Sequence, residues 1–184
     1  MKKLALTSLL AMFAISSANA ATNYFVGGSA AIATDSDHWT FLNVAPELGW
    51  KVNSNWDLGV MGAFSYEHEP FIERDYGIGA FARYKVAQFG DFNLLLKGTV
   101  VAEFEHYNSE TSKAVYAEVM PMITYDLSEA FTLYAELKFL GASAGYEWAN
   151  DKLGDEKGWF IGADVDSDEV LNTGNFKIGF NYNF

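Results

Sequence analysis

The segment that decides the fold is Lys177-Ile178-Gly179-Phe180-Asn181-Tyr182-Asn183-Phe184. Its apolar and aromatic side chains occupy every second position, and lysine, glycine and asparagines occupy the positions between them. A period of two residues is that of a β-strand, whose successive side chains point to opposite faces. One apolar face and one polar face predict a strand in the wall of a barrel with lipid outside and a wet interior.

Seven further segments alternate in the same way. They lie at about 23–34, 39–52, 55–67, 74–87, 91–106, 113–126 and 130–148. Tight connections at 52–55, 87–90 and 127–130 alternate with longer polar connections at about 35–38, 68–73, 107–112 and 149–173. Short turns on one rim and long loops on the other are typical of outer-membrane barrels. We therefore predict an all-β fold, an eight-stranded antiparallel up-and-down transmembrane β-barrel.

Two details of this prediction concern the sixth and seventh strands. Pro121 lies inside the sixth strand and has no N–H for a ladder hydrogen bond, so it predicts a bulge or a local defect. The seventh strand is predicted to run without interruption from 130 to 148, with Tyr134, Glu136, Lys138 and Leu140 facing inward.

Aromatic side chains make up 16% of the chain, which suits two belts at the membrane surfaces. The predicted periplasmic belt contains Trp50, Trp56, Tyr84, Phe92, Tyr125, Phe131 and Tyr182. The predicted outer belt contains Trp39, Phe41, Tyr66, Tyr76, Phe104 and Trp148.

The first twenty residues have the pattern of a secretory signal peptide. Lys2 and Lys3 precede a short apolar stretch, and Ala18-Asn19-Ala20 is a small-residue cleavage site. We predict that residues 1–20 are removed and that residues 21–184 form one outer-membrane barrel domain. The chain contains no cysteine, so no disulfide supports the fold.

The charge of the chain excludes some classes of partner. The formal net charge is −12, and it becomes more negative when Lys2 and Lys3 are removed. Such a chain would repel nucleic-acid phosphates, so no nucleic-acid partner is expected. No segment after residue 20 has the roughly 18 consecutive apolar residues of a spanning helix.

Charged residues on the predicted inward faces must be paired or hydrated inside a small barrel. We predict a polar network in the lumen that consists of Lys51, Asp57, Lys85, Glu103, Glu118, Glu136, Lys138 and Lys177. The tight turns place Lys51 beside Asp57 and Asp57 beside Lys85. On the other side they place Glu103 beside Glu118, and Glu118 beside Lys138, which also lies near Lys177 and Glu136. A structural polar core is one interpretation of this network, and a narrow ion path is the alternative.

Candidate metal and catalytic groups lack the spacing of a known site. His38, His68 and His106 each lie near acidic residues but belong to three different hairpins. The acidic run from Asp164 to Glu169 lacks the glycine and glutamate that complete a calcium loop. Ser36 near His38 and Ser65 near His68 belong to no recognisable nucleophile motif. No catalytic residue, metal site or cofactor is therefore predicted.

The signal peptide, the eight alternating segments and the last strand together resemble the small OmpA/OmpX-type outer-membrane barrels. In that last strand Lys177, Gly179, Tyr182 and Phe184 are similar to the terminal assembly signal of such barrels. The resemblance implies a Gram-negative outer membrane and insertion by the barrel-assembly machinery. The peptidoglycan-binding domain found in OmpA itself has no counterpart in this sequence.

The expected function is structural or interactive: envelope integrity, with acidic outer loops that face ligands or host surfaces. The expected partners are outer-membrane lipid and lipopolysaccharide, bridged by divalent cations, together with an unidentified surface ligand; the barrel is expected to be a monomer. The alternatives are a lipid A-modifying enzyme, a narrow ion pore, and a soluble calycin-like barrel that binds an apolar ligand.

Overall fold

The computed structural model describes residues 23–34, 40–69, 71–107, 110–148, 157–163 and 176–184, which form ten antiparallel strands. These are β1 (Tyr24–Thr34), β2 (Thr40–Lys51), β3 (Trp56–Glu69), β4 (Phe71–Phe89), β5 (Phe92–Tyr107), β6 (Glu110–Asp126), β7 (Phe131–Leu137), β8 (Ala142–Trp148), β9 (Gly158–Ala163) and β10 (Phe176–Asn183). The predicted signal peptide, residues 1–20, lies outside the described residues.

The strands close into a barrel of eight wall strands. Each of β1 to β6 pairs with the next strand along the chain, β6 pairs with both β7 and β8, and β10 joins β7 to β1. The seventh wall strand therefore consists of β7 and β8. The eighth consists of β10 and of β9, which pairs with β8. The predicted eight-stranded antiparallel up-and-down barrel is confirmed.

The prediction that the seventh strand is continuous is wrong. A 3₁₀ turn at Lys138–Leu140 separates β7 from β8. Met122 of β6 pairs with Glu136, and Val119, three residues away, pairs with Ala142, six residues beyond Glu136. Relative to β6, the seventh wall strand thus has three extra residues. Because successive side chains point to opposite faces, an odd number of extra residues exchanges the inward and outward positions. Leu140, predicted to be inward, is 50% exposed.

The interruption explains the position of Pro121. This residue lies between Met122 and Val119, where the ladder from β6 to the seventh wall strand is broken. Proline has no backbone N–H to donate, so it destabilises a sheet least where the hydrogen-bond ladder is already interrupted. The predicted defect is present, and its extra residues are in the neighbouring strand.

Two of the predicted long loops are paired strand instead. Glu69 pairs with Phe71, and Tyr107 pairs with Glu110, so the strands continue through most of 68–73 and 107–112. Ladder hydrogen bonds use only backbone groups, so polar side chains do not end a strand that has a paired neighbour. The hairpins β3–β4 and β5–β6 therefore extend further than the polar composition suggested.

The tight turns at the opposite rim have local causes. The Asn53 Oδ1 accepts hydrogen bonds from the backbone N–H of Asn55 at 2.8 Å and of Trp56 at 3.0 Å. This is the side-chain mimicry of a turn that favours asparagine. Gly90, between β4 and β5, has φ of 62°, a conformation that glycine adopts without steric cost.

The two faces of the wall differ as the alternation predicts. Outward residues such as Ile32, Ile78 and Ile178 are 76%, 69% and 59% exposed. Inward residues include charged groups, and Glu47 and Arg83 are 2% and 1% exposed. The soluble calycin-like alternative required apolar side chains inside and is wrong. Among the described residues, no helix has the length and apolar character needed to cross a membrane.

Candidate functional site

A cluster of four buried charges crosses the middle of the lumen. It consists of Glu47 from β2, Arg83 from β4, Lys97 from β5 and Glu136 from β7, and we call it the central cluster. The Arg83 Nη2 donates to Glu47, and the Lys97 Nζ donates to both Glu47 and Glu136. The Tyr134 hydroxyl donates to Glu47 at 3.1 Å. Two carboxylates and two cations make the central cluster formally neutral, which buried charges require.

Three aromatic rings surround the guanidinium of Arg83. Its Cζ lies 5.2 Å from the ring centroid of Phe25, 4.7 Å from that of Phe81 and 5.1 Å from that of Tyr134. Distances below about 6 Å fit cation–π attraction, which strengthens when both groups are removed from water. The rings therefore stabilise a charge whose burial would otherwise be costly.

Each of these rings packs against an inward glycine. A Cβ added at Gly49, Gly59 or Gly179 would come closer than 3.0 Å to Phe25, Phe81 or Tyr134, respectively. The three glycines leave the space that the rings occupy inside a barrel about wide enough for side chains alone. Gly179, predicted as part of the assembly signal, packs against Tyr134 in the structure.

The central cluster separates two lumen cavities. The lower cavity, of about 250 Å³, lies beside the tight turns, and the upper cavity, of about 480 Å³, lies on the side of the long hairpins. Arg83 lines the lower cavity, and Lys97 and Glu136 line the upper one. Side chains of the central cluster are at most 4% exposed, and they lie between the two cavities.

The lower cavity is lined by a hydrogen-bonded polar layer. The Asn93 Nδ2 donates to Thr124 and to Asp126, both at 3.1 Å, and the Thr132 hydroxyl donates to Asp126 at 2.8 Å. These bonds tie β5, β6 and β7 together from the inside.

All eight predicted lumen residues line one of the two cavities. Lys51, Asp57 and Lys85 line the lower cavity, and Lys51 pairs with Asp57 in the register. The upper cavity is lined by Glu103, Glu118, Glu136, Lys138 and Lys177. The Lys138 Nζ lies 3.4 Å from Glu118, and Lys177 pairs in the register with Glu136.

Two of the predicted neighbouring pairs are wrong: Asp57 with Lys85, and Glu103 with Glu118. Asp57 lies opposite Arg83 and not opposite Lys85, in the register that pairs Glu69 with Phe71. Glu103 lies opposite Ala114, and Glu118 lies opposite Thr99, in the register that pairs Tyr107 with Glu110.

The predicted network lacks Glu47, Arg83 and Lys97, although their strands place them on the inward face. The signal that identifies them is an inward charge in the apolar, middle part of a strand. Such a position leaves no route to water, so each charge needs a partner across the lumen.

The candidate metal and catalytic residues form no site in the part of the chain that the structure describes. There, no three His, Asp or Glu side chains are grouped to hold a metal ion. His106 is exposed and lies edge-on to Tyr76, with ring centroids 6.0 Å apart. The Ser65 hydroxyl accepts a hydrogen bond from Asn43 at 2.7 Å inside the barrel. Ser36, His38, the His68 side chain and the run from Asp164 to Glu169 lie outside the described residues.

Comparison with known proteins supports the fold. The crystal structure of Neisserial surface protein A (NspA) aligns with a TM-score of 0.56 at 13% identity, over 90% of this chain and 100% of that one. The fold is that of an eight-stranded transmembrane β-barrel. A de novo designed transmembrane β-barrel aligns at a TM-score of 0.37 and 14% identity, over 91% and 98% of the two chains. A major outer membrane protein from Thermus thermophilus aligns at a TM-score of 0.45 and 12% identity, over 88% and 99%. No protein-family model and no curated protein matches the sequence.

Proposed function

We propose that this protein spans the outer membrane of a Gram-negative cell as a closed barrel, with a structural or surface-interaction role in the envelope. The observation that carries the proposal is the contrast between the two faces of one wall. The outward face is an apolar band, and in the part of the chain that the structure describes the inward face holds a neutral, buried charge cluster across the lumen.

Aromatic pairs at both ends of the apolar band support a membrane location. Towards the tight turns, the rings of Trp56 and Tyr84 lie 4.9 Å apart. Towards the long hairpins, the rings of Phe64 and Tyr76 lie 5.4 Å apart, and those of Tyr146 and Trp148 lie 4.8 Å apart. Amphipathic rings favour the headgroup level on each side of a bilayer. The tight turns then face the periplasm and the long hairpins face outward.

Export and assembly follow from the same proposal. Residues 1–20 would direct the chain across the inner membrane, and Lys177, Gly179, Tyr182 and Phe184 would present the final strand to the barrel-assembly machinery. Divalent cations would bridge acidic outer residues to lipopolysaccharide phosphates, because direct contact between two negative surfaces is repulsive. The closed wall, with every barrel strand paired on both sides in its lower half, suits a monomer.

Fractionation together with a gel assay tests the location. The wild-type protein is expected in the outer-membrane fraction, and unboiled samples are expected to migrate differently from boiled ones because the folded barrel resists the detergent. A protein found folded in the soluble fraction would overturn the proposal. A Phe184→Ala variant is expected to refold after purification but to assemble poorly in cells.

The enzyme and pore alternatives have separate readouts. Mass spectrometry of lipid A from cells with and without the protein is expected to show no change in acyl chains. Planar bilayers with the purified barrel are expected to show no steady single-channel steps. A changed lipid A or a steady conductance would replace the structural role with the corresponding alternative.

A further inference from the structure

The upper cavity has the size of a small-molecule site. Its volume of about 480 Å³ lies within the usual range of ligand pockets, which is roughly 300–1,000 Å³. Its floor is the central cluster, through Lys97 and Glu136, and its upper wall includes Glu105, Glu147 and Phe160 near the ends of the long hairpins. A ligand from outside the cell would therefore enter between the hairpins.

The lining of the upper cavity is acidic. Six carboxylates and three lysines line it, for a formal net charge of −3. The lysines lie in its deeper part, where each has an acidic neighbour. Lys97 pairs with Glu47 and Glu136, Lys138 lies 3.4 Å from Glu118, and Lys177 lies opposite Glu136 in the register. The upper part of the cavity is therefore its most negative region.

Four of the carboxylates form an arc around one side of the wall in that upper part. Asp75 of β4 lies directly opposite Glu105 of β5. Glu103 of β5 and Glu147 of β8 both lie opposite Ala114 of β6, so their backbones are about 9–10 Å apart, one strand spacing on each side. Like charges directly opposite each other on a sheet destabilise the fold. A cationic ligand would offset that repulsion.

Two buried acceptor atoms supply independent evidence for a ligand. Thr99 and Asn43 are only 5% and 7% exposed, and both line the upper cavity. Among the residues that the structure describes, the Thr99 Oγ1 and the Asn43 Oδ1 have no hydrogen-bond partner, although Asn43 donates through its nitrogen to Ser65. A buried polar atom without a partner is costly, so both positions favour a molecule that brings hydrogen-bond donors. Ammonium groups are donors and carry the charge that the arc attracts.

The spacing of the arc favours an elongated organic cation over a metal ion. In the described part of the chain, no three acidic or histidine side chains come close enough together to bind one ion. Tyr116 and Phe160 add aromatic surface to the same cavity, and ring faces attract organic ammonium groups. We propose that the upper cavity binds linear organic cations that carry two or more primary ammonium groups, held by the carboxylates of the arc.

Titration calorimetry on the refolded barrel in detergent micelles tests this inference with spermidine as the probe. Saturable binding is expected, and it should weaken several-fold between roughly 20 mM and roughly 300 mM NaCl because partly exposed charges are screened. Butylamine, with one ammonium group, and Mg²⁺ are expected to bind at least tenfold more weakly. Absence of saturable spermidine binding, or equal affinity for Mg²⁺, would overturn the inference.

Variants locate the site. Glu103→Gln and Glu105→Gln are each expected to weaken spermidine binding by about tenfold, the usual loss for one hydrogen bond to a charged group. Glu129→Gln, an exposed acid in a turn at the opposite rim, is the matched control and is expected to bind like wild type. Equal losses in the control and in the two arc variants would show nonspecific attraction and refute the site.

Ala114→Lys gives a readout that does not depend on losing a carboxylate. It places an ammonium group between Glu103 and Glu147, so it is expected to abolish spermidine binding and to raise the stability of the barrel. Retained binding in this variant would place the ligand elsewhere. The inference rests on the proposed function only for the side from which the ligand enters. A barrel that fractionates with the outer membrane but ignores spermidine would contradict this inference alone.

Discussion

Replacing Glu47 with glutamine should destabilise the barrel far more than the loss of one exposed ion pair. Glu47 is the partner of both Arg83 and Lys97 and also accepts from Tyr134. Lys97 keeps Glu136 in the variant, but Arg83, which is 1% exposed, loses its carboxylate, and the central cluster acquires a charge of +1. Removing one partner of a buried pair costs about 3–5 kcal/mol, and we expect a free energy of unfolding lower by that amount.

A second substitution should recover much of the loss. Arg83→Met alone leaves an excess negative charge, but Glu47→Gln combined with Arg83→Met restores neutrality and keeps the pair of Lys97 with Glu136. We expect the double variant to be more stable than the sum of the two single effects predicts, by about 2 kcal/mol or more. Part of the Arg83→Met effect will persist because the three cation–π contacts are lost.

Equilibrium urea unfolding in phospholipid vesicles, followed by tryptophan fluorescence, measures these differences. Glu129→Gln is the matched control, since this exposed side chain should change stability by less than about 0.5 kcal/mol. A loss of less than about 1 kcal/mol in Glu47→Gln, or simple additivity of the two single effects, would contradict this role of the central cluster. Either result would mean that water reaches the cluster and solvates its charges.

Three further predictions concern packing, the belts and the closed lumen. Gly59→Ala should lower stability by about 1–3 kcal/mol in urea titrations because its Cβ would meet Phe81. Gly98→Ala should change stability little, because the atom nearest to its Cβ, in Val119, would lie 3.9 Å away, an ordinary van der Waals distance. Phe92→Ala should lower the free energy of unfolding by about 1–2 kcal/mol because its ring lies 4.6 Å from that of Tyr125. Phe89→Ala, at a side chain that is 70% exposed, is the control. Equal losses in the two variants would contradict the stabilising contact between Phe92 and Tyr125. In planar bilayers Lys138→Ala should leave the barrel closed like wild type, because Lys138 lies above the central cluster, and steady conductance in either protein would refute the closure.

The number of strands and the direction of their faces could be read from the sequence because both depend on local alternation. The predicted inward direction of Tyr134 and Glu136 is confirmed, since a side-chain period of two needs no knowledge of the neighbouring strand. The tight turns were also recognisable from Asn53 and Gly90, whose side chains or backbone suit a turn.

Register and cross-lumen partners could not be read in the same way. They depend on where each hairpin turns, and the polar residues near 68–73 and 107–112 are compatible with either strand or loop. The contact of Glu47 with Arg83 also depends on the stagger of strands that are not sequence neighbours. The three extra residues before Ala142 were signalled only indirectly, by Pro121 on the neighbouring strand.

The exchange of faces at the 3₁₀ turn makes the β8–β9 hairpin a separable cassette for protein engineering. In β8 and β9 the inward and outward positions are exchanged relative to those of β7 and β10. Substitutions in this hairpin therefore need no matching substitutions in the lower wall. Trp159 and Ile161 on its outer surface are 85% and 88% exposed and could be randomised to display new recognition surfaces. The lower barrel would serve as a constant base for such a library.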